Sequence, residues 1–332
     1  MIRRALHLVL TGLTLVACAR DQGNGEPLDR RKLRVAMVPY LAYAPLTIAQ
    51  EEGYFAQQGL DVEFVSLTKA MDAVPALLRG TIDVLPAPPV PGIFNAMARG
   101  DSVRIVAEKG FLDRGGCTDM ALVARNGLPG PGASPRLERV SVDGEVPMFY
   151  IAVKALEHAG VSIDTLSSLE MPPAAEMDAL GKGAIDVAFA GEPWLSRVIE
   201  RHKGSLWIRG ADALPGFQYS YIFFGPTLLR DREAGARFMV AFRQGIVKYR
   251  EGKTRRNLEI AAKALNDEPA RVAETCWPHM RADSRIDVPG LLTFLAWSKQ
   301  RGYVTTVLDP AAMIDTTFLA SADAILHEPP LH

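Results

Sequence analysis

The chain has 332 residues, 48% of them hydrophobic and 23% charged, which excludes a disordered or collagen-like polymer and is long enough for two lobes of ordinary domain size. Its 37 basic and 38 acidic residues leave a formal net charge of −1, so no broad positive field gathers nucleic acid. The densest basic runs, Asp29-Arg30-Arg31-Lys32 and Lys253-Thr254-Arg255-Arg256, are short enough to be solvated faces.

At the start, Arg3 and Arg4 precede an apolar run from Ala5 to Ala17 that is too short to span a bilayer as a helix. The run ends Leu15-Val16-Ala17-Cys18, which resembles the bacterial lipobox, where a peptidase cleaves before a cysteine whose thiol then carries diacylglycerol. Residues 1–18 are therefore read as a lipoprotein signal ending at lipidated Cys18, with a plain secretory signal as the alternative. Lipid chains there would hold the mature protein at a membrane surface. Ala19, where Asp would favour inner-membrane retention, points to the outer membrane in an organism that has one. Residues 19–32 are polar, with Gly23, Gly25 and Pro27, and read as a flexible tether of at most about 50 Å. Beyond Cys18 only Cys117 and Cys276 remain. An exported protein can pair them, but spacing does not fix geometry, and two buried thiols is the plainer expectation.

Past the tether, strand-like and helix-like segments alternate. Leu33–Val38 reads as a strand, Ala44–Gln58 as a helix, Asp61–Ser66 as a strand and Ala70–Arg79 as a helix. Thr81–Leu85, Pro91–Arg99 and Val103–Glu108 continue as strand, helix and strand, which predicts an α/β fold with largely parallel sheets. The pattern then recurs. Ala76-Leu-Leu-Arg-Gly-Thr-Ile-Asp-Val84 parallels Ala179-Leu-Gly-Lys-Gly-Ala-Ile-Asp-Val187, with Gly80 and Gly183 at matching helix ends. Downstream, Pro91–Arg99 and Pro193–His202 both open with a proline suited to a first helical turn. Two lobes on one plan are expected: residues 33–126 with 219–327 as a discontinuous first lobe, and 135–210 as the second. Residues 127–134 and 211–218 are expected as the interlobe connections. From Thr227 onward almost every segment reads as helix, so a helical C-terminal third would complete the first lobe.

Several segments resemble one family. Ala44-Pro-Leu-Thr-Ile-Ala-Gln-Glu-Glu-Gly-Tyr-Phe-Ala-Gln-Gln-Gly-Leu-Asp-Val62 is similar to the first helix of the nitrate/sulfonate/taurine and thiamine-pyrimidine-precursor binding proteins. Gly80–Val84, Gly191-Glu-Pro-Trp194, Phe224-Gly-Pro-Thr-Leu-Leu229, Arg237-Phe238 and Tyr249–Lys253 fit the same pattern, so the likeness covers roughly residues 33–325. The resemblance implies the type II periplasmic-binding-protein fold, a role in feeding an ABC importer, and an ABC permease as partner. Most of these motifs are scaffold, and they specify the ligand poorly.

In open α/β sheets a ligand sits outside the carboxyl ends of the strands. The loops there contain Tyr40, Tyr43, Pro88, Phe111, Glu145, Glu192 and Trp194, and the returning strand carries Tyr221; these are the expected ligand contacts. Five of them have a plainer reading: Tyr43 and Trp194 as core aromatics, Glu192 as a helix cap, Glu145 as an exposed acid, Pro88 as a loop stiffener. Pro45, Pro91, Pro147 and Pro193 each remove one N–H from a helix start, hydroxyls are scarce, and Lys109 is the only cation in these loops. Aromatic walls with two carboxylates suit a cyclic, neutral or amine-bearing molecule better than a small oxyanion.

Reaction machinery is thin: the chain has no G-x-S-x-G, H-E-x-x-H, C-x-x-C or P-loop motif, and its six histidines are scattered. No catalytic residue, cofactor or resident metal is expected. The expected protein is an extracytoplasmic solute-binding lipoprotein, monomeric and without nucleic-acid partners. The alternatives are an oxyanion binder on the same scaffold, an enzyme related to thiamine-pyrimidine synthases, and a carrier that presents its ligand to a sensor. Cys18→Ala is expected to abolish fatty-acid labelling of the protein in cells; continued labelling would put the anchor elsewhere.

Overall fold

The structure, a computed structural model, describes residues 30–133, 135–142 and 144–327. The lipobox, Cys18 and the tether as far as Asp29 lie outside the described residues. Ten strands form two five-stranded sheets. The first half supplies β1 (Arg31–Met37), β2 (Leu60–Ser66), β3 (Val84–Ala87), β4 (Arg104–Phe111) and β5 (Met120–Ala124). The second supplies β6 (Arg139–Ser141), β7 (Ser167–Leu169), β8 (Val187–Gly191), β9 (Ser205–Arg209) and β10 (Gln218–Phe224). The first sheet runs β2-β1-β3-β10-β4 and the second β7-β6-β8-β5-β9. In each, three neighbours pair in parallel, and one antiparallel strand that has crossed from the other half lies fourth: β10 in the first sheet and β5 in the second.

This arrangement relocates the first crossing. Because β5 pairs with β8 and β9, the chain passes between sheets from Phe111 to Met120, not at 127–134. The Gly/Pro-rich stretch is instead a surface loop of the second lobe leading from β5 towards β6. Its composition marks a loop but carries no information about which sheet its flanking strands join. The return crossing runs from Arg209 to Gln218 through a short helix, Gly210–Ala213.

The repeated nonapeptide has a common physical role. In the first sheet Asp83 accepts the N–H of Arg34 at 2.8 Å while its own N–H goes to Arg34 O. In the second, Asp186 accepts from Glu138 N and Arg139 N at 2.8 and 3.0 Å and gives its N–H to Arg139 O. Each aspartate thus locks the entry of the central strand to its parallel neighbour. The carbonyl of each also takes the N–H of the crossed strand's flank, Gly225 for Asp83 and Arg125 for Asp186. The Asp186 carboxyl is held below the usual range: its partial burial, which acts upward, is outweighed by the two backbone N–H groups and Arg125.

The segment expected as one helix, Ala44–Gln58, is broken. Ala44–Glu51 and Tyr54–Gln57 are separated by Gly53 at φ 74°, a left-handed turn that glycine adopts without cost. Phe55 from the second piece stacks on Phe238, which meets Phe224 edge-on, so the long helix Arg232–Arg250 is seated on the first sheet. The C-terminal region is helical as expected, with Arg255–Leu265, Val288–Gln300 and Thr317–His327. No helix among the described residues is long and apolar enough to cross a membrane.

The two cysteines are not free thiols. Cys117 and Cys276 form a disulfide with Cα atoms 5.7 Å apart. The crossing carries Cys117 up to the loop that follows helix Pro269–Glu274, a meeting of residues 159 apart that spacing alone cannot reveal. Asp83→Ala and Asp186→Ala each unpair partly buried backbone donors and are expected to cost about 1 kcal/mol or more apiece. Urea midpoints should show the larger loss for Asp186→Ala, which also releases Arg125.

Candidate functional site

The lobes meet along the two crossings, which are bonded to each other. Leu112 donates its N–H to Phe217 O at 2.9 Å and accepts from Gly216 N at 2.8 Å. Arg209 braces the outward crossing from the end of β9, giving Nε to Thr118 Oγ1 and Nη2 to Gly116 O, both at 2.8 Å. At the mouth of the return crossing, Tyr219 donates its hydroxyl to Asp119 at 2.9 Å. Burial lifts the Asp119 carboxyl above its ordinary range, and the Tyr219 bond opposes that.

Around this hinge the second lobe touches the C-terminal region. The Glu192 carboxylate accepts from Ser196 Oγ at 2.7 Å and Ser196 N at 3.3 Å within its own lobe, and from Cys276 N at 3.1 Å across it. Burial raises the Glu192 carboxyl while these three donors pull it down. Arg197 lies over the Trp194 ring, 4.8 Å from its centroid, and pairs with Asp267 at 3.4 Å. On the far side Tyr150, on helix Val146–His158, meets Trp297, Phe217 and Phe294 at 4.8, 5.2 and 5.3 Å.

The first-lobe wall is organised by Tyr43 and Lys109. Tyr43 donates its hydroxyl to Pro86 O, and the Lys109 ammonium stands 4.1 Å from the Tyr43 ring centroid and donates to Ala42 O at 3.1 Å. The loop after β1 is thereby tied to strands β3 and β4 at one point. Burial, then the charge of Glu145 from the second lobe, then Tyr40, push the Tyr43 hydroxyl above its usual range. Burial also brings Lys109 down to about 7, against the opposing pull of Glu108. Neighbouring strand residues point to opposite faces, so Glu108 is turned away from Lys109, and burial drives its carboxyl up to about 8. The backbone N–H of Arg281, 3.1 Å from Glu108 Oε2, works against that rise.

The expected contacts divide accordingly. Tyr40, 50% exposed, and buried Tyr43 line one small pocket with Leu41, Ala44 and Ala261. Pro88 is half-buried in a loop whose bend is closed by Val90 N to Pro88 O. Glu145 precedes helix Val146–His158 and acts on Tyr43. Trp194 opens helix Trp194–Glu200, packs on the second lobe's smaller core and carries Arg197. Glu192 is engaged as a helix cap and interlobe acceptor. Phe111 ends β4 with its N–H on His279 O and its ring 6.3 Å from the imidazole. Tyr221 is fully enclosed within the first sheet beside Phe223 and presents no surface to a cleft. Asp119, Cys276 and His279 were not anticipated here, because they reach the hinge from distant segments. Glu108 did carry a signal, an acid following the apolar run Ile105-Val106-Ala107.

Residues 26–122 match the model of the NMT1-like family. A protein of Brucella abortus described as a binding protein is 24% identical over 281 residues, covering 81% of this chain and 79% of its own length. Among solved structures, the periplasmic aliphatic sulphonate binding protein SsuA from Escherichia coli has a TM-score of 0.71 at 15% identity, over 86% of this chain and 92% of its own. The desulfurization enzyme DSZB, also solved with biphenyl-2-sulfinic acid, has a TM-score of 0.65 at 12% identity, over 89% and 99% in that complex. These matches agree with the family that the sequence motifs resemble, and the fold is that of the periplasmic binding proteins.

The buried acid sets a pH dependence. A carboxyl raised in the folded state contributes fully below its unfolded value and loses that contribution as pH rises through about 8. Stability is therefore expected to fall between about pH 5 and pH 8. Glu108→Gln, neutral throughout, should remove that fall in denaturation midpoints measured across the range.

Proposed function

We propose that the protein is an extracytoplasmic solute-binding lipoprotein that takes a small molecule between its lobes and presents it to the permease of an ABC importer. The observation that carries this reading is the architecture: two sheets on one plan, joined by two crossings that are hydrogen-bonded to each other. A ligand touching both walls would stabilise the closed arrangement, and the closed form would be the one a permease recognises. The fold of SsuA and the relation to the Brucella binding protein support it. Anchorage through Cys18, a monomeric state and an outer-membrane location belong to the same proposal.

For the ligand we infer a cyclic, neutral or amine-bearing molecule. Exposed Tyr40 offers a ring beside the small pocket, a carboxylate at Glu145 suits an amine, and Pro45, Pro91 and Pro147 stand in the first turns of their helices, where each withholds a donor from an anion. Biphenyl-2-sulfinic acid, bound by DSZB, joins flat rings to an acidic sulfur oxyanion, so it is compatible with an aromatic wall and equally with the oxyanion reading. One observation favours the second reading, an oxyanion of the sulfonate or nitrate type: the Lys109 ammonium at the Tyr43 ring. An enzyme is the third reading, since DSZB carries catalysis on the fold, but the sequence here offers none of the nucleophile or metal motifs sought above.

A thermal-shift panel of sulfonates, nitrate, polyamines, pyrimidines, flavins and apolar ring compounds separates these readings. A rise of several degrees with a cyclic or amine ligand and none with oxyanions is the expected result; a clear taurine or nitrate shift would overturn the ligand class. For an amine ligand, Glu145→Gln should weaken binding at least tenfold, the loss of a charge-assisted hydrogen bond of about 1.5–3 kcal/mol, read by calorimetric titration.

A further inference from the structure

Among the described residues one group of metal-ligating side chains converges away from the cleft wall: Cys117, Cys276 and His279, with their ligand atoms all within 4.8 Å of one another. His279 Nε2 lies 3.9 Å from Cys117 Sγ and 3.1 Å from Cys117 O. Its Nδ1 faces Asp113 Oδ2 at 3.8 Å. The imidazole is held there by the backbone: Phe111 N donates to His279 O, and Gly116 leaves the space the ring fills, since a Cβ at that position would overlap it. Arg209 fixes the same loop through Gly116 O.

While the sulfurs are joined they are poor donors, because the thiolate is the form that binds metal. We propose that the reduced pair, with His279, forms a Cys2His site for a borderline divalent cation, with Zn2+ the best match to two thiolates and an imidazole. Reduction frees the two sulfurs to move apart, and His279 Nε2, 3.9 Å from Cys117 Sγ, already lies close to the donor separation of a tetrahedral site, about 3.3–3.8 Å for Zn–S near 2.3 Å and Zn–N near 2.0 Å. For Nε2 to be the ligand it must give up its bond to Cys117 O, and Asp113, on the Nδ1 side, would favour that tautomer by attracting Nδ1–H, making it a positioning residue. Cys117 is exposed and Cys276 buried, so reductant and cation enter from the Cys117 side, where water takes the fourth position.

The chemistry balances with a dithiol as reductant. It supplies two electrons and two protons and closes to its own disulfide, the Cys117–Cys276 bond breaks, and two thiols result. Cation binding then releases both thiol protons to solvent. The metal would join the same two segments that the disulfide joins, keeping Cys276 N–H at the Glu192 carboxylate. One staple is exchanged for another according to redox state.

The test uses the full chain carrying Cys18→Ala, reduced with a phosphine and titrated with Co2+ and then Zn2+. One Co2+ per reduced chain, with thiolate-to-cobalt charge-transfer and tetrahedral d–d absorption displaced by Zn2+, is expected, and none in the oxidised chain. His279→Ala should weaken binding at least tenfold. Asp113→Asn should weaken it about tenfold while keeping the cobalt spectrum. The site is overturned by absence of the charge-transfer band in a reduced chain that keeps its circular dichroism, by equal binding without reduction, or by undiminished affinity in His279→Ala. A reduced chain that loses its fold and is not restored by metal overturns it as well.

Discussion

Leu112 exchanges hydrogen bonds with Phe217 and Gly216, so the two strands of chain that leave and re-enter the first sheet run side by side as a short antiparallel pair. The relative placement of the lobes rests on this pairing. Two bonded crossings allow rotation about their common line but resist sliding, since a slide would unpair buried backbone groups. Asp119 with Tyr219, Arg209 with Thr118, and the disulfide at Cys117 all lie within a few residues of it.

The contacts that bridge the lobes are unequal. Arg301 with Asp164 is solvent-facing, with the carboxylate 72% exposed, and such pairs contribute about 0–1 kcal/mol. The Tyr150, Phe217, Phe294 and Trp297 rings are packed at 4.8–6.3 Å, and each aromatic pair adds about 0.5–1.5 kcal/mol beyond its area. The aromatic cluster therefore dominates on the side away from the cleft, while polar groups line the mouth. Helix Val288–Gln300 consequently serves both halves, although its sequence position groups it with the first.

Much of this was legible beforehand. The alternation of strand and helix, the duplicated nonapeptide and the proline-led helices are local signals, and local signals survive into the fold. Gly80 and Gly183 sit at φ 72° and 68° after their helices, as a left-handed helix end requires. What escaped was long-range. The sheet to which β5 belongs is decided by pairing with β8 and β9, and the Cys117–Cys276 bond by two segments folding over each other. Tyr221 shows the same gap: a strand aromatic reads alike whether its face meets a cleft or a core. Lys109 was visible as a lone cation, but its position at the Tyr43 ring depends on the loop after β1 folding over strands β3 and β4.

The insertion of β10 between β3 and β4 also dictates an order of events during folding. Strands β3 and β4 have no direct pairing, so the first sheet stays in two pieces until a strand more than a hundred residues downstream arrives. The second sheet, by contrast, is built from one continuous stretch, Met120 to Arg209. Closing the shorter loops first is entropically cheaper, so the second lobe forms as a unit and the first waits on it. A chain that leaves the ribosome amino end first therefore holds its first sheet in two pieces until Gln218–Phe224 has been made.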